Sequence, residues 1–239
     1  MLEIHGCSVC GGISRGKIYQ LKKRRTVKKR RIEDVRAEEE RLNRAIEKCA
    51  EELQRLYEKV LPHAGEDAAM IFEMHRMMLM DADFLSSVRE SISVRRMNAE
   101  AAVMAAADEF IKIFASMEDE YMSARGADVQ DISDRLINAL TGGESYLRPD
   151  VPAIICAADL APSETVQPDS SKILAFVTEQ GSVNSHTSIL ARTMNIPSVI
   201  GAAGIMDARH DGADAIIDGF NGVIYIDPDE VTKETLCPV

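Results

Sequence analysis

The strongest constraint on the fold of this chain is an apolar stripe in its N-terminal half. The apolar side chains recur at alternating steps of four and three residues, at Leu42, Ile46, Cys49, Leu53, Leu56 and Val60. This spacing places them on one face of an α-helix. Glu33 and Asp34 suit its first turn, where negative charge meets the positive end of the helix dipole. Pro62 predicts its end, and so long an apolar face requires packing partners.

Helical periodicity continues to about residue 142. A second helix is predicted to begin near Gly65, a short third covers residues 84–92, and Asn98 suits the N-cap of a fourth. A last stretch, 129–140, is followed by a pair of glycines that predict its end. The steps of four and three could also indicate a coiled coil, but they persist only within one helix. Four or five helices joined by short loops predict an antiparallel bundle, which we assign to residues 22–143.

The residues on both sides of this helical stretch predict an α/β domain. Short apolar, β-branched runs lie at residues 153–156, 173–177 and 197–201. A helical pattern at 185–194 precedes the last of them. Two further runs with turn glycines between them predict a hairpin, at 215–217 and 223–226. A strand near Ile18 cannot bury itself alone, so the sequence predicts a discontinuous α/β domain, 1–21 and 144–239, with the helical bundle inserted.

Composition narrows the class of protein. The net charge of −11 argues against a general nucleic-acid binder and suits a basic protein partner. The sequence contains no run of about 18 apolar residues that would predict a membrane span. Its start also lacks the basic and then apolar pattern of a secretory signal. We therefore expect a cytoplasmic protein whose five cysteines are reduced thiols.

Two local features have an ordinary and a functional interpretation. Eight of the ten residues in 22–31 are basic, which is typical of a solvated, self-repelling segment. The alternative is a contact with an anionic surface or nucleic acid, although no aromatic residue interleaves the charges. Cys7 and Cys10 form a CxxC, but no second CxxC or histidine pair lies nearby to complete a zinc site. We predict no metal site in this chain.

The stretch GSVNSHTSILAR, residues 181–192, carries the candidate reactive group. Asn184 or Ser185 can cap a helix, which places His186 in its first turn. The free backbone N–H groups of such a turn favour phosphate, and its positive end disfavours a protonated ring. His186 could therefore be a phosphoryl acceptor, with hydrogen bonds from Asn184, Ser185 and Thr187. An ordinary helix-start histidine stays equally open, whereas a metal ligand or a Ser-His hydrolase has less support.

The same stretch carries a family resemblance. GSVNSHTSILARTMNIPSVIG resembles the phosphohistidine signature of phosphoenolpyruvate (PEP)-utilising phosphotransferases, GGxTSHxAIxARxxxIPxVVG, and AADLAPSETVQPDSSKILAFVTEQG resembles the stretch before it. GEDAAMIFEMHRMMLMDADF, MEDEYMSARGADVQDISDRL and GCSVCGGISRGKIY are similar to the Enzyme I family of the bacterial sugar phosphotransferase system. Pyruvate phosphate dikinase and PEP synthase share the histidine domain but not these helices. The resemblance implies a phosphohistidine (swivelling) α/β domain with an inserted helical domain that binds the carrier protein HPr.

The resemblance also implies roles for individual residues. His186 matches the phosphorylated histidine, Thr165 matches a threonine that hydrogen-bonds near it, and Arg192 matches the motif arginine. Arg192 could screen the phosphate only if the chain folds it back. Ser182 replaces the second motif glycine and Asn184 replaces the usual threonine, from which we expect altered rates rather than lost chemistry. The region that docks HPr matches Glu66, Asp67, His75, Met78, Leu79 and Arg125.

The composition of the helix at 70–80 supports a docking surface independently. Eight of its eleven residues are apolar, whereas one helix face takes only about half of the positions. Methionine adapts to a partner surface, and Glu66 and Asp67 would complement a basic partner. The alternative is a helix buried on all sides of the bundle.

The function that the resemblance implies is a phosphoryl relay. His186 would accept a phosphoryl group derived from PEP and transfer it to a histidine of HPr. The PEP-binding and Mg²⁺-binding barrel of the family is not among these residues, so the chain is either an N-terminal portion or a stand-alone relay. We therefore expect Mg²⁺ in that barrel and no cofactor in this chain. Alternatives are another PEP-dependent relay, such as the phosphotransfer subunit of dihydroxyacetone kinase, or a non-catalytic module that binds HPr.

Overall fold

The computed structural model describes residues 1–21, 27–142, 149, 151–166, 172–183 and 186–236. The chain divides into two compact units. We call them the α/β unit (Met1–Lys23, Pro62–Ala68 and Tyr146–Val239) and the helical unit (Arg24–Leu61 and Ala69–Ser145). The predicted class, an α/β domain with an inserted helical domain, is confirmed. The predicted bounds of the two domains stay a prediction.

Four helices precede the second half of the sheet: α1 (Val35–Leu79), α2 (Ala82–Ser93), α3 (Ala99–Ala115) and α4 (Glu120–Thr141). The predicted stripe on α1 is confirmed, because all six of its side chains are buried. The predicted stop at Pro62 is wrong. Pro62 lies inside α1, and the helix breaks at Gly65, whose φ of 78° and ψ of 176° are not helical. A proline removes one backbone donor, whereas this positive φ takes the chain out of the helix, and glycine adopts it without strain.

The sheet of the α/β unit has eight strands in the order β1-β8-β7-β3-β4-β5-β6-β2. The strands are β1 (Leu2–His5), β2 (Cys7–Cys10), β3 (Ile13–Leu21), β4 (Ala153–Ala157), β5 (Ile173–Thr178), β6 (Ser198–Ile200), β7 (Asp214–Asp218) and β8 (Val223–Ile226). Strands β3 to β6 are parallel, and the pairings outside them are antiparallel. The predicted hairpin is β7–β8. Only the strand near Ile18 was predicted in residues 1–21, so β1 and β2, which are short strands with exposed positions, were missed.

In the described part of the α/β unit, three α-helices accompany the sheet: α5 (Pro162–Val166), α6 (His186–Thr193) and α7 (Glu230–Leu236). Every residue of β4 is buried, which is typical of a parallel strand covered on both faces. Ile154 and Cys156 belong to the core on one face of the sheet, and Ile155 belongs to the core on the other. This second core includes Ala191 of α6. Among the described helices, none combines the length and apolar character that a membrane-spanning helix needs.

A buried ion cluster joins α1 to α4 in the helical unit. His75 has no exposed surface, and its Nε2 lies 3.2 Å from a carboxylate oxygen of Asp128. Its Nδ1 lies 3.3 Å from a carboxylate oxygen of Asp131, and Arg125 contacts Asp128 at 3.1 Å. Burial lowers the pKa of His75, but the two carboxylates outweigh burial and raise it to about 9. The ring is therefore protonated at neutral pH, and the carboxylates compensate its buried charge.

This cluster predicts a stability that depends on pH. A raised histidine pKa contributes stability that is fully present below the ordinary value of 6.5 and is lost as the pH rises through about 9. We expect His75→Gln to lower the free energy of unfolding of the helical unit by roughly 3 kcal/mol at about pH 6. The difference from the parent protein should shrink towards about pH 9.5. Urea unfolding followed by helical circular dichroism measures both values.

His63→Gln is the matched control, because His63 is exposed. It should change the stability little at either pH. If His75→Gln lowers the free energy of unfolding equally at about pH 6 and about pH 9.5, the pairing of a charged His75 with the two carboxylates is contradicted.

Candidate functional site

The candidate site lies where α6 begins. His186 is the first residue of this helix, so the prediction that places it in the first turn is confirmed. Thr187 follows it in the same turn, whereas the predicted cap residues Asn184 and Ser185 lie outside the described residues. The apolar side of α6 is anchored by Leu190 and Ala191, which are at most 2% exposed. This packing fixes the direction in which the helix start points.

Two side chains of α6 fasten the loop that precedes it. The hydroxyl of buried Ser188 donates to the carbonyl of Ser182 at 2.8 Å, and the guanidinium of Arg192 donates to the carbonyl of Val183 at 2.9 Å. Gly181 has a φ of 115°, which favours glycine. The backbone of Ser182 does not have a positive φ, so a serine fits where the family signature has a glycine. Both hydrogen bonds hold residues 181–183 against the start of the helix.

The side chain of Arg192 folds back towards the start of α6, which is the condition for it to screen a phosphate on His186. Its contact with Val183 reaches nine residues back along the chain, and its charge also acts on Cys10 of β2. Burial raises the pKa of the Cys10 thiol, and the positive charge of Arg192 partly opposes that rise. Arg192 thus places a cation beside the loop that leads into His186.

Thr165 reaches the same edge of the sheet through α5. Strands β4 and β5 are parallel neighbours, so α5 and α6 follow them at the same edge, and the two helices pack against each other. Thr165 is fully buried, and its hydroxyl donates to the carbonyl of Ala161 at 3.2 Å. The hydroxyl oxygen retains lone pairs that can accept a further hydrogen bond. Its predicted bond near His186 stays a prediction.

The start of α6 also differs from other helix starts in its charge. The first turns of α1, α2, α3, α5 and α7 each contain an acidic residue, whereas the first turn of α6 contains none. A carboxylate in the first turn interacts with the free N–H groups and the helix dipole. Without one, the positive end of α6 is available to an incoming phosphate.

Burial divides the predicted docking residues into two groups. Glu66 and Asp67 are exposed, and Met78 is partly exposed. His75 and Leu79 have no exposed surface, and the partly buried Arg125 is paired with Asp128. The structure therefore does not support direct contact of His75 or Leu79 with a partner. Three exposed apolar residues between 66 and 80, which are Met70, Met77 and Met80 at 40%, 66% and 56%, were not among the predicted docking residues.

The described residues include no group of three or more His, Cys, Asp or Glu side chains placed to hold a metal ion. Cys7 is exposed and Cys10 is buried. The prediction that the chain binds no metal stays a prediction, and the site described above consists of a helix start, a cation and a buried hydroxyl.

The site thus belongs to a mixed α/β unit in which a histidine begins the helix that follows a parallel strand. Two family models match the chain: "PEP-utilising enzyme, N-terminal" over residues 5–125 and "PEP-utilising enzyme, mobile domain" over residues 149–222. The chain belongs to the family of PEP-utilising enzymes.

Relatives narrow this resemblance further. The phosphoenolpyruvate-protein phosphotransferase of Bacillus subtilis is 38% identical over 240 residues, which cover 98% of this chain and 42% of that protein. That of Enterococcus faecalis is 34% identical over 236 residues, which cover 96% and 41%. The chain therefore spans less than half the length of the curated relatives it matches.

Solved structures agree with this assignment. An NMR solution structure of Enzyme I has a TM-score of 0.73 at 30% identity, and the match covers 98% of this chain and 96% of that chain. The N-terminal domain of Enzyme 1 - Nitrogen has a TM-score of 0.71 at 24% identity, covers 97% of both chains and shows the fold alone.

The fastening of the loop can be tested without any partner. We expect Ser188→Ala to speed hydrogen exchange of the amides of residues 181–183, because it removes the bond to the Ser182 carbonyl. The cost should be about 1 kcal/mol of local stability. Thr193→Val is the control, because the described hydrogen bond of the Thr193 hydroxyl lies within α6, to the carbonyl of Ile189. Equal exchange in the loop for both variants and the parent would show that Ser188 does not hold it.

Proposed function

We propose that this chain is the histidine-bearing relay of a PEP-protein phosphotransferase of the sugar phosphotransferase system. His186 accepts a phosphoryl group derived from PEP and transfers it to a histidine of HPr. The observation that carries this proposal is the position of His186 at the start of α6, after a loop that Ser188 and Arg192 hold at Ser182 and Val183. The relatives support it, since two of them bear the name of this activity.

The chemistry requires little from the protein beyond position and charge. The lone pair of an imidazole nitrogen of His186 attacks phosphorus, and the bond from phosphorus to the enolate oxygen of PEP breaks. In the second step a histidine nitrogen of HPr attacks the same phosphorus, and the P–N bond to His186 breaks. Backbone N–H groups at the start of α6 and the charge of Arg192 stabilise the phosphate between the two steps. Asn184, Ser185 and Thr187 remain proposed donors, and Thr165 is proposed to orient the ring.

The first step also requires a site for PEP. We propose that a separate PEP-binding domain, with its Mg²⁺, supplies this site outside the present chain. This agrees with the share of the relatives that the chain covers, 42% and 41%. Within the chain, the proposed residues bind only the transferred phosphoryl group, and they do so without a cofactor.

We propose that HPr docks on the exposed methionines of the segment 66–80, which comprises the part of α1 after Gly65 and its C-cap residue Met80. Met70, Met77 and Met80 present flexible apolar side chains to solvent, while Ile71, Phe72 and Leu79 of the same segment are buried. The buried apolar residues of this segment pack inside the protein, and its exposed methionines are left for a partner. This explains why the segment has more apolar residues than one buried helix face requires. Glu66 and Asp67, exposed after the break at Gly65, are proposed to attract a basic carrier protein.

Transfer to His186 can be tested with phosphorylated HPr. We expect phospho-HPr to label this chain on His186 only, and His186→Ala to remove the label. A phosphohistidine is acid-labile, so mass spectrometry is run at high pH. PEP with Mg²⁺ should not label the chain alone, because the proposed PEP site lies elsewhere. Label that persists in His186→Ala would refute the assignment. If the phosphorylated chain passes its phosphoryl group to the dihydroxyacetone-kinase carrier and not to HPr, the other relay is favoured.

Docking can be tested separately from transfer. We expect Met77→Ala to weaken HPr binding by roughly 1–2 kcal/mol, a typical cost of removing an interface anchor. Ile113→Ala is the control, since Ile113 is an exposed apolar residue of α3 at 47%. Calorimetric titration with HPr measures both. Equal affinities of the two variants and the parent would place docking elsewhere, even if His186 is still labelled.

A further inference from the structure

A cluster of positive charge lies in the helical unit, on residues that the proposed function does not use. The segment before α1 runs beside the segment between α2 and α3. The amide of Ile32 donates to the carbonyl of Arg96 at 2.9 Å, and the amide of Asn98 donates to the carbonyl of Arg30 at 3.1 Å. Arg31 and Met97 form an antiparallel bridge between them. Two short segments rich in basic residues are thereby held side by side.

Asn98 fixes this arrangement from the interior. Its side chain is buried, accepts the amide of Arg30 at 2.7 Å and donates to the carbonyl of Lys28 at 3.2 Å. It also donates to the carboxylate of Glu100 at 2.8 Å. Asn98 does occupy the predicted N-cap of α3, but its side chain makes no cap hydrogen bond there. The side chain bonds instead to the basic segment before α1, at Lys28 and Arg30.

The two segments enclose a shallow pocket of about 310 Å³. Five exposed cationic residues line it, together with Val94 and Met97: Lys29, Arg30, Arg31, Arg95 and Arg96. No acidic residue belongs to this lining. Within the described part of the chain, none of the five forms an ion pair with a carboxylate. Among the described residues, the only hydrogen bond that their side chains make is from Arg96 to the carbonyl of Glu33, at 3.4 Å.

Holding these charges together costs stability. Like charges repel at short range. The chain has a net charge of −11, so these cations are held next to one another although carboxylates that could neutralise them are abundant in the sequence. Arg96 also has a φ of 54°, a left-handed conformation that is unfavourable for a residue with a Cβ. Strain of this kind persists where the surrounding structure enforces it, and it is common at binding sites. An anion in the pocket would offset the repulsion.

We propose that this basic pocket binds a small anion that carries two or more phosphate groups. Arginine presents planar pairs of N–H donors that match phosphate oxygens, and four of the five cations are arginines. The volume is at the lower end of the range for ligand pockets, about 300–1,000 Å³. The lining contains no aromatic side chain on which a base could stack, which favours a small anion over nucleic acid. Binding here requires neither His186 nor the methionines of α1.

Inorganic pyrophosphate is the probe for this site. We expect calorimetric titration of the chain at constant ionic strength to show pyrophosphate binding that is tighter than sulfate binding. The double variant Arg31→Gln with Arg95→Gln should weaken it roughly tenfold and reduce its salt dependence. The double variant Arg44→Gln with Lys48→Gln is the control, because it removes the same charge from exposed positions of α1 and should bind as the parent does. Arg31→Lys with Arg95→Lys should retain most of the affinity.

Three outcomes would overturn the proposal. Equal weakening in the control would show an effect of net charge alone, and sulfate binding as tight as pyrophosphate binding would show unspecific attraction of anions. Capture by vesicles that contain phosphatidic acid, without binding of free pyrophosphate, would assign the charges to a lipid surface. Circular dichroism of each variant at the titration temperature verifies that the helical unit is folded, so that a lost affinity reports on the pocket.

Discussion

The structure depends on the pairing of two strands that are far apart in sequence. β3 and β4 are parallel neighbours, with Lys17 opposite Ala153, and the whole helical stretch lies between them. Closing so long a flexible loop would cost conformational entropy before the pairing could contribute. The cost falls because most of the intervening chain, Arg24–Leu61 and Ala69–Ser145, folds as a compact unit of its own. The buried stripe of α1 belongs to the core of that unit, so it indirectly favours the pairing of β3 with β4.

The pairing of β3 with β4 then determines where the site can form. β4 is covered on both faces, and β5 lies parallel to it on the other side from β3. The chain leaves β4 towards α5 and leaves β5 towards α6, so Thr165 and His186 follow adjacent parallel strands at one edge. Ligand sites of parallel sheets lie at this carboxyl edge. The site is thus a consequence of strand order, and the hydrogen bonds of Ser188 and Arg192 refine it locally.

The sequence predicted those elements whose pattern is local and strong. The stripe of α1, the β7–β8 hairpin and the helix that begins at His186 all follow from periodicity or turn residues. β1 and β2 were missed because their positions are mostly exposed and form no apolar run, and their pairing with β8 and β6 joins segments distant in sequence. The second helical segment was correctly expected to begin near Gly65, but the end of the first was misplaced to Pro62, because proline usually ends a helix and this one is accommodated within it. The burial of His75 and Leu79 follows from packing, and helical spacing alone could not separate them from the exposed methionines.

Charge placement connects the two anion sites that we propose. The chain has 39 acidic residues against 28 basic ones, so an anion meets repulsion over much of its surface. The helix start at His186 has no acidic residue in its first turn, and the pocket before α3 has none in its lining. The two sites nevertheless attract anions by different means. At α6, backbone N–H groups and the helix dipole act over a short range, which suits a phosphoryl group held on one atom. At the basic pocket, five exposed charged side chains act over a longer range, which suits reversible capture of a free anion and makes that site the more sensitive to salt.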